Sequence, residues 1–130
     1  MRILLADDEP KVRFALRVLL QQQAGCEVVG EIGDAEELVA QAGTIRPDMV
    51  LLHWRMRDLS SVDLLHALKS ACPDLYVVAL SGRPEARRAA IAAGADAFVS
   101  KMDSPDQLLA TIDDCWHRCQ AQPGRSLWVD

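Results

Sequence analysis

Five polar side chains of this 130-residue sequence are of the types that form metal- and phosphate-binding pockets. They are Asp7, Asp8, His53, Ser81 and Lys101. Two adjacent carboxylates suit a hard cation such as Mg²⁺, which prefers oxygen ligands. A lysine ammonium and a serine hydroxyl suit phosphoryl oxygens, the first as a point charge and the second as a hydrogen-bond donor. Because these residues come from four distant parts of the sequence, they can act together only where a fold brings them to one place.

Short apolar runs lie before these residues and predict five β-strands. The predicted strands are Ile3–Ala6, Cys26–Ile32, Met49–Leu52, Leu75–Leu80 and Ala97–Val99. The first, third and fourth runs are almost continuously apolar, which is typical of central strands in a parallel sheet. The second run alternates, with Glu27 and Glu31 on one side and Cys26, Val28 and Ile32 on the other. This alternation predicts an edge strand.

Helix-start signals follow the predicted strands. Pro10 suits the first turn of a helix that extends to about Gln23. The other signals are Asp34 as a cap with Glu37, a cap at Ser60 or Ser61, Pro84 opening a helix that ends near Gly94, and a Ser104–Pro105–Gln107 capping box. Strands that alternate with helices predict a parallel sheet with helices on both faces.

The expected fold is an α/β, doubly wound, flavodoxin-like domain with five parallel strands in the order 2-1-3-4-5 and five helices. In such sheets, ligands bind beyond the carboxyl ends of the strands, near the point where the strand order reverses. The five polar residues follow or end four different predicted strands, so we expect one pocket there. We assign residues 1–120 to this domain and residues 121–130 to a C-terminal tail.

Composition and charge exclude several classes of function. A net charge of −5 argues against nucleic-acid binding, which normally needs a concentrated basic patch. No run approaches the roughly 20 apolar residues of a membrane span, and the first apolar run is too short for a signal peptide. We therefore expect a cytoplasmic protein without membrane contact, whose four cysteines are free thiols.

Two further patterns favour structural roles over catalysis. Cys115, His117 and Cys119 have ligand types, but Cys115 and Cys119 extend an apolar helical face that includes Leu108 and Ile112, so we expect these thiols in the core. The loop after the first strand has no glycine, which excludes a nucleotide-binding loop, and no nucleophile elbow is present. We expect no enzymatic activity.

Four segments of the sequence resemble the receiver domains of two-component response regulators, over residues 1 to about 120. They are LLADDEP, PDMVLLHWRM, VVALSGR and AAGADAFVSK. The resemblance implies that Asp7 and Asp8 hold Mg²⁺ together with the backbone carbonyl of Arg55. It also implies that Ser81 and Lys101 bind a phosphoryl group and that Phe98 is a switch aromatic.

The same resemblance implies partners. A receiver domain acts in a two-component system or phosphorelay, with a histidine kinase or another signalling protein as partner. The face formed by the fourth helix, the last strand and the last helix is the usual contact surface of the family. We therefore expect partner docking or homodimer formation there, next to a cluster made of Arg83, Arg87 and Arg88.

The sequence departs from the family at the centre of the site, where His53 replaces the phosphoacceptor aspartate. Arg57, Ser61 and Met102 also differ from the residues that are usual at their positions. Histidine excludes aspartyl phosphate at position 53, and it weakens Mg²⁺ binding because it replaces an oxygen ligand with a nitrogen. A longer nucleophile is also misplaced, and a misplacement near 1 Å can cost about a hundredfold in rate.

Three interpretations of His53 remain. The first is a pseudo-receiver that signals through protein contacts, which the accompanying changes at Arg57 and Ser61 favour. The second is an ordinary receiver that carries an acceptor-site substitution. The third is an altered site for a transition metal ion at Asp7, Asp8 and His53. Separately, Arg55, Arg57 or Lys101 can supply the positive charge that adjacent carboxylates need in place of Mg²⁺.

Overall fold

The computed structural model describes residues 1–54 and 61–120 and confirms the predicted α/β architecture. The strands are β1 (Arg2–Ala6), β2 (Glu27–Ile32), β3 (Met49–His53), β4 (Tyr76–Ser81) and β5 (Ala97–Ser100). The helices are α1 (Pro10–Gln21), α2 (Ala35–Ile45), α3 (Ser61–Ala71), α4 (Ala86–Ala93) and α5 (Pro105–Gln120). The strands form one parallel sheet in the order β2-β1-β3-β4-β5, as predicted.

Helices cover both faces of the sheet, which explains why the central strands are apolar throughout. Alternate residues of each strand point to opposite faces. Leu4, Val50 and Val77 pack toward α2, α3 and α4, whereas their neighbours Leu5 and Leu51 pack toward α1 and α5. Each central strand therefore contributes side chains to two separate hydrophobic clusters, one on each face of the sheet. The carboxyl edge of the sheet lies between these clusters.

Two of the predicted caps are present. The Asp34 side chain accepts a hydrogen bond of 3.0 Å from the Glu36 backbone N–H at the start of α2. The Ser104 hydroxyl accepts one of 3.2 Å from the Gln107 N–H at the start of α5. Such caps satisfy backbone donors that have no partner within the helix. Of the two serines predicted to cap α3, Ser61 is the first residue of that helix, and Ser60 lies outside the described residues.

The predicted start of the fourth helix is wrong by two residues. α4 begins at Ala86, because residues 83–87 form turns in which the Ala86 N–H bonds to the Arg83 carbonyl and the Arg87 N–H to the Pro84 carbonyl. Its end is as predicted: Gly94 follows the helix with a φ of 112°, a left-handed conformation that favours glycine.

The predicted alternation in the second strand is also wrong. Val28 packs toward α1 and α5, but Ile32 packs toward the helices on the opposite face. The reason is a bulge: Ile3 pairs with Val28, whereas Leu4 pairs with Gly30. One extra residue in β2 reverses the side of every residue after it. The prediction that β2 is an edge strand is confirmed.

The structure tests the predictions of free cysteines and of no membrane span for the described residues. Cys26, Cys72 and Cys115 are free thiols, and Cys115 is buried beside Ile112 as expected. Burial raises the pKa of the Cys26 thiol above its usual value, which makes it a weak nucleophile at neutral pH. The side chain of Cys119 and the tail 121–130 lie outside the described part. None of the helices in that part is both long and apolar enough to cross a membrane.

Candidate functional site

Three backbone hydrogen bonds extend the sheet just past the strand ends and fix the site residues. The Asp7 N–H donates to the Ile32 carbonyl at 3.0 Å, and the Lys101 N–H donates to the Ser81 carbonyl at 2.8 Å. The Trp54 N–H, directly after His53, donates to the Leu80 carbonyl at 2.7 Å. Because β1 and β3 are neighbours, Asp7 and His53 lie side by side. The polar residues are therefore held by the ladder itself and not by a long loop.

The structure brings Asp7, Asp8 and His53 together. One ligand atom from each lies within 4.8 Å of the other two, and among the side chains that the structure describes, in residues 1–54 and 61–118, no other group of three potential metal ligands is this close. The His53 Nδ1 is 3.7 Å from the Asp7 Oδ2, and its Nε2 is 3.8 Å from the Asp8 Oδ1. These distances exceed a normal hydrogen bond, so the imidazole lies between the two carboxylates without bonding to either through these atoms.

Lys101 also reaches this cluster, as the sequence predicts. Its Nζ is 2.9 Å from the Asp7 Oδ2 and 4.0 Å from the Glu9 Oε1. The contact with Asp7 is an ion pair whose geometry falls outside that of a hydrogen bond. Asp7 is only 1 % exposed, so its charge needs a cation nearby, and Lys101 is the cation in contact with it.

Sequence reasoning missed two partners that hold Asp7 in place. The Glu9 N–H donates to the Asp7 Oδ1 at 2.9 Å. The Arg13 guanidinium, one turn into α1, donates to the Asp7 backbone carbonyl. Gly33 lies opposite, where a Cβ atom would stand 2.8 Å from the Arg13 Nη1. The sequence spacing of Asp7 and Arg13 does not indicate this hydrogen bond, and neither does the presence of Gly33. The bond becomes apparent only from the positions of these residues in the fold.

We expect the substitution Arg13→Met to destabilise the domain by about 1–2 kcal/mol, because a charged donor to the Asp7 carbonyl is lost. Urea unfolding measures this. The matched control is Arg17→Met. Arg17 lies on the same helix as Arg13 and also pairs with Glu31 of β2, but among the described contacts it has none with Asp7. Equal losses in the two variants would assign the effect of Arg13 to Glu31 and not to Asp7.

Ser81 ends β4 at the carboxyl edge of the sheet, and Phe98 lies on the neighbouring β5, where it pairs with Ala79. Ser81 is buried, and its hydroxyl oxygen accepts a hydrogen bond of 3.1 Å from the Arg83 N–H, which leaves its own hydrogen available to donate. Phe98 is 3 % exposed, and the Arg87 guanidinium lies over its ring at 5.0 Å from the centroid. A cation over an aromatic face is attracted to the ring, so Arg87 covers Phe98 from outside.

Some of the predicted site falls on residues that are not described. Arg55, expected to offer a backbone carbonyl to a metal, and Arg57 both lie in the segment 55–60. Within the described residues, the donors that could face a metal are two carboxylates and one imidazole. That set fits Mg²⁺ poorly, because Mg²⁺ prefers oxygen ligands in octahedral geometry.

Comparison with known proteins identifies the family. The model of the response regulator receiver domain family matches residues 3–113. The chain is 32 % identical over 113 residues to the nitrate/nitrite response regulator protein NarP of Escherichia coli, covering 85 % of this chain and 53 % of NarP. It is 30 % identical over 114 residues to the response regulator protein VraR of Staphylococcus aureus, covering 86 % of this chain and 54 % of VraR. The chain thus spans about half the length of these relatives.

Solved structures agree with this assignment. A two-component response regulator of the LuxR family from an Aurantimonas species has a TM-score of 0.80 at 26 % identity, covering 87 % of this chain and 82 % of that one. The response regulator domain of Thermotoga maritima CheB shows the same fold, with a TM-score of 0.78 at 23 % identity, covering 88 % of this chain and 95 % of that one. The chain therefore belongs to the family of response regulator receiver domains of two-component signalling.

Proposed function

We propose that this receiver domain is a pseudo-receiver, which signals through protein contacts and is not switched by an aspartyl phosphate at position 53. The observation that carries the proposal is the imidazole of His53, held between Asp7 and Asp8 at 3.7 Å and 3.8 Å. The family places its phosphoacceptor carboxylate at this position. A histidine there supplies no carboxylate oxygen for phosphoryl transfer.

The electrostatics of the site support the same proposal. The Lys101 Nζ is 2.9 Å from the Asp7 Oδ2, so a phosphoryl group at this edge of the sheet would share the ammonium with Asp7. Mg²⁺ binding is weakened because His53 adds a nitrogen to a set that would otherwise consist of oxygens. The bound Mg²⁺ that phosphoryl transfer in the family requires is therefore disfavoured as long as His53 is present. Asp7, Asp8, Ser81 and Lys101 form a scaffold that no longer performs the family's reaction.

The position of Phe98 is consistent with a domain that stays in one state. Its ring is buried and covered by Arg87 of α4. In our proposal, Phe98 is the residue at the family's switch position, and no phosphoryl group draws it away from this arrangement. The protein then presents a constant surface to its partners and acts as a binding module, not as an enzyme.

We place the contact surface on α4, β5 and α5, following the family resemblance. Three exposed arginines lie at the start of α4: Arg83 just before the helix, and Arg87 and Arg88 in its first turn. Ile91 on the same helix is 46 % exposed. A second copy of this chain or an acidic surface of a histidine kinase or another signalling protein fits such a face. These partners and the cytoplasmic location stay proposals, because the chain spans about half the length of its relatives.

A second candidate function is an ordinary receiver whose acceptor site has been substituted. The observation in its favour is that Ser81 and Lys101 still adjoin each other through the 2.8 Å backbone hydrogen bond at the sheet edge. In that case position 53 alone separates the chain from a phosphorylated receiver. Both candidates leave the native chain without an aspartyl phosphate at position 53, and restoring an aspartate there tests whether the rest of the site is intact, which the second candidate requires.

To test the proposal, the full chain is incubated with acetyl phosphate and Mg²⁺ and followed by intact-protein mass spectrometry. We expect no stable phosphoryl adduct, because no carboxylate stands at position 53 and His53 disfavours bound Mg²⁺. NarP, a curated relative, serves as the positive control. A stoichiometric adduct that peptide mapping places at His53 would contradict the proposal.

A further inference from the structure

We propose that Asp7, Asp8 and His53 form a binding site for a divalent transition metal ion, with Zn²⁺ as the best fit, in place of the Mg²⁺ site of the family. The inference goes beyond the proposed function, because it concerns what the pocket binds and not whether it is phosphorylated. It rests on the geometry, the burial and the donor chemistry of this chain's own residues.

The distances suit a common ion. Two ligands that each lie about 2.1 Å from one zinc ion can be at most about 4.2 Å apart. The His53 Nδ1 and the Asp7 Oδ2 are 3.7 Å apart, within that limit. One ligand atom of Asp8 completes a group whose members all lie within 4.8 Å of one another. Because 4.8 Å exceeds the limit of about 4.2 Å, the three side chains must move closer together when they bind one ion.

The two central ligand atoms are enclosed by the protein and lack hydrogen bonds. The Asp7 Oδ2 and the His53 Nδ1 are both buried without a hydrogen-bond partner among the described residues. Asp7 as a whole is 1 % exposed, and the His53 side chain 16 %. Buried polar atoms are nearly always hydrogen-bonded in folded proteins. The Asp7 Oδ2 has the Lys101 ion pair but no hydrogen bond to a described residue, and neither has the His53 Nδ1, so both atoms can accept a further ligand.

The donor set selects the type of metal. An imidazole nitrogen binds Zn²⁺, Cu²⁺ and Ni²⁺ far more tightly than it binds Mg²⁺. Two carboxylates with one histidine leave a fourth position open for water, as in zinc sites that are not closed by protein ligands. Thus the same substitution that removes the family's chemistry favours a different ion at the same edge of the sheet.

Lys101 opposes the metal and sets how tightly it binds. Its ammonium lies 2.9 Å from the same Asp7 oxygen that the ion needs. The metal must therefore displace the Lys101 Nζ, which has the Glu9 Oε1 at 4.0 Å as an alternative partner. We expect that removing this ammonium, in Lys101→Met, strengthens Zn²⁺ binding.

The test is isothermal titration of the full chain, purified with EDTA and dialysed, with Zn²⁺ and with Mg²⁺. Co²⁺ absorption in the visible range serves as a second readout of nitrogen and oxygen coordination. We expect one Zn²⁺ per chain, bound more tightly than Mg²⁺. The variant His53→Ala should lose more than about tenfold in Zn²⁺ affinity, since even outer-shell partners of metal ligands contribute about ten- to a hundredfold.

Two matched variants sharpen the result. His117→Ala removes an exposed histidine that bonds to the Asp113 carbonyl, and it should leave Zn²⁺ binding unchanged. His53→Asp should reduce the preference for Zn²⁺ over Mg²⁺. The inference is overturned if the native chain binds Zn²⁺ no more tightly than Mg²⁺, or if His53→Ala binds Zn²⁺ as well as the native chain. Neither outcome depends on a phosphodonor, so it leaves the proposed function to its own test.

Discussion

The variant His53→Asp should form an aspartyl phosphate with acetyl phosphate and Mg²⁺, whereas the native chain does not. The substitution puts a carboxylate between Asp7 and Asp8, at the end of β3 and beside the retained Lys101. It also gives Mg²⁺ a third oxygen ligand, which that ion prefers. We expect at least about a hundredfold more adduct on His53→Asp than on the native chain, because the native imidazole is a misplaced nucleophile and a misplacement near 1 Å costs about that factor in rate.

The control for this experiment is His53→Asn, which removes the imidazole and adds no nucleophile. It should remain without an adduct under the same conditions. If His53→Asp also stays unmodified, the changes at Arg57 and Ser61 have disabled the site beyond position 53, and the second candidate function is excluded. If the native chain is labelled as fast as His53→Asp, the pseudo-receiver proposal is wrong.

The sequence predicted the sheet well because its signals are local and strong. The apolar runs before Asp7, His53 and Ser81 are strands that are buried on both faces, and a parallel sheet offers few other ways to bury them. The strand order then determines that their carboxyl ends meet at one edge. For this reason, the positions of Asp7, Asp8, His53 and Lys101 beside one another could be predicted from the strand pattern and the expected strand order.

What the sequence could not predict depends on register and on side-chain reach. The bulge in β2 moves Ile32 to the opposite face from Val28, and no pattern of polarity marks one extra residue. The contact of Arg13 with the Asp7 carbonyl depends on where α1 lies over the edge of the sheet. Of the three candidate cations for the carboxylates, Lys101 is in contact with Asp7, and Arg55 and Arg57 lie outside the described residues.

That ion pair has a measurable consequence for stability. In the substitution Lys101→Met, the buried Asp7 carboxylate loses the ammonium at 2.9 Å. We expect the free energy of unfolding at neutral pH to fall by about 3 kcal/mol, the lower end of the range for removing one partner of a buried pair, since Lys101 is partly exposed. Urea unfolding in the presence of EDTA measures this without interference from metal ions.

A double-mutant cycle assigns the loss to the pair and not to packing. The double variant Asp7→Asn with Lys101→Met should recover most of the stability, because a neutral amide needs no cation nearby. Lys11→Met, which removes an exposed ammonium from α1, should change the free energy of unfolding by no more than about 0.5 kcal/mol. Additive effects of the two substitutions would show that Lys101 does not compensate the charge of Asp7. A large coupling would establish that this chain carries its own cation where the family binds Mg²⁺, and that any metal ion entering the site must compete with it.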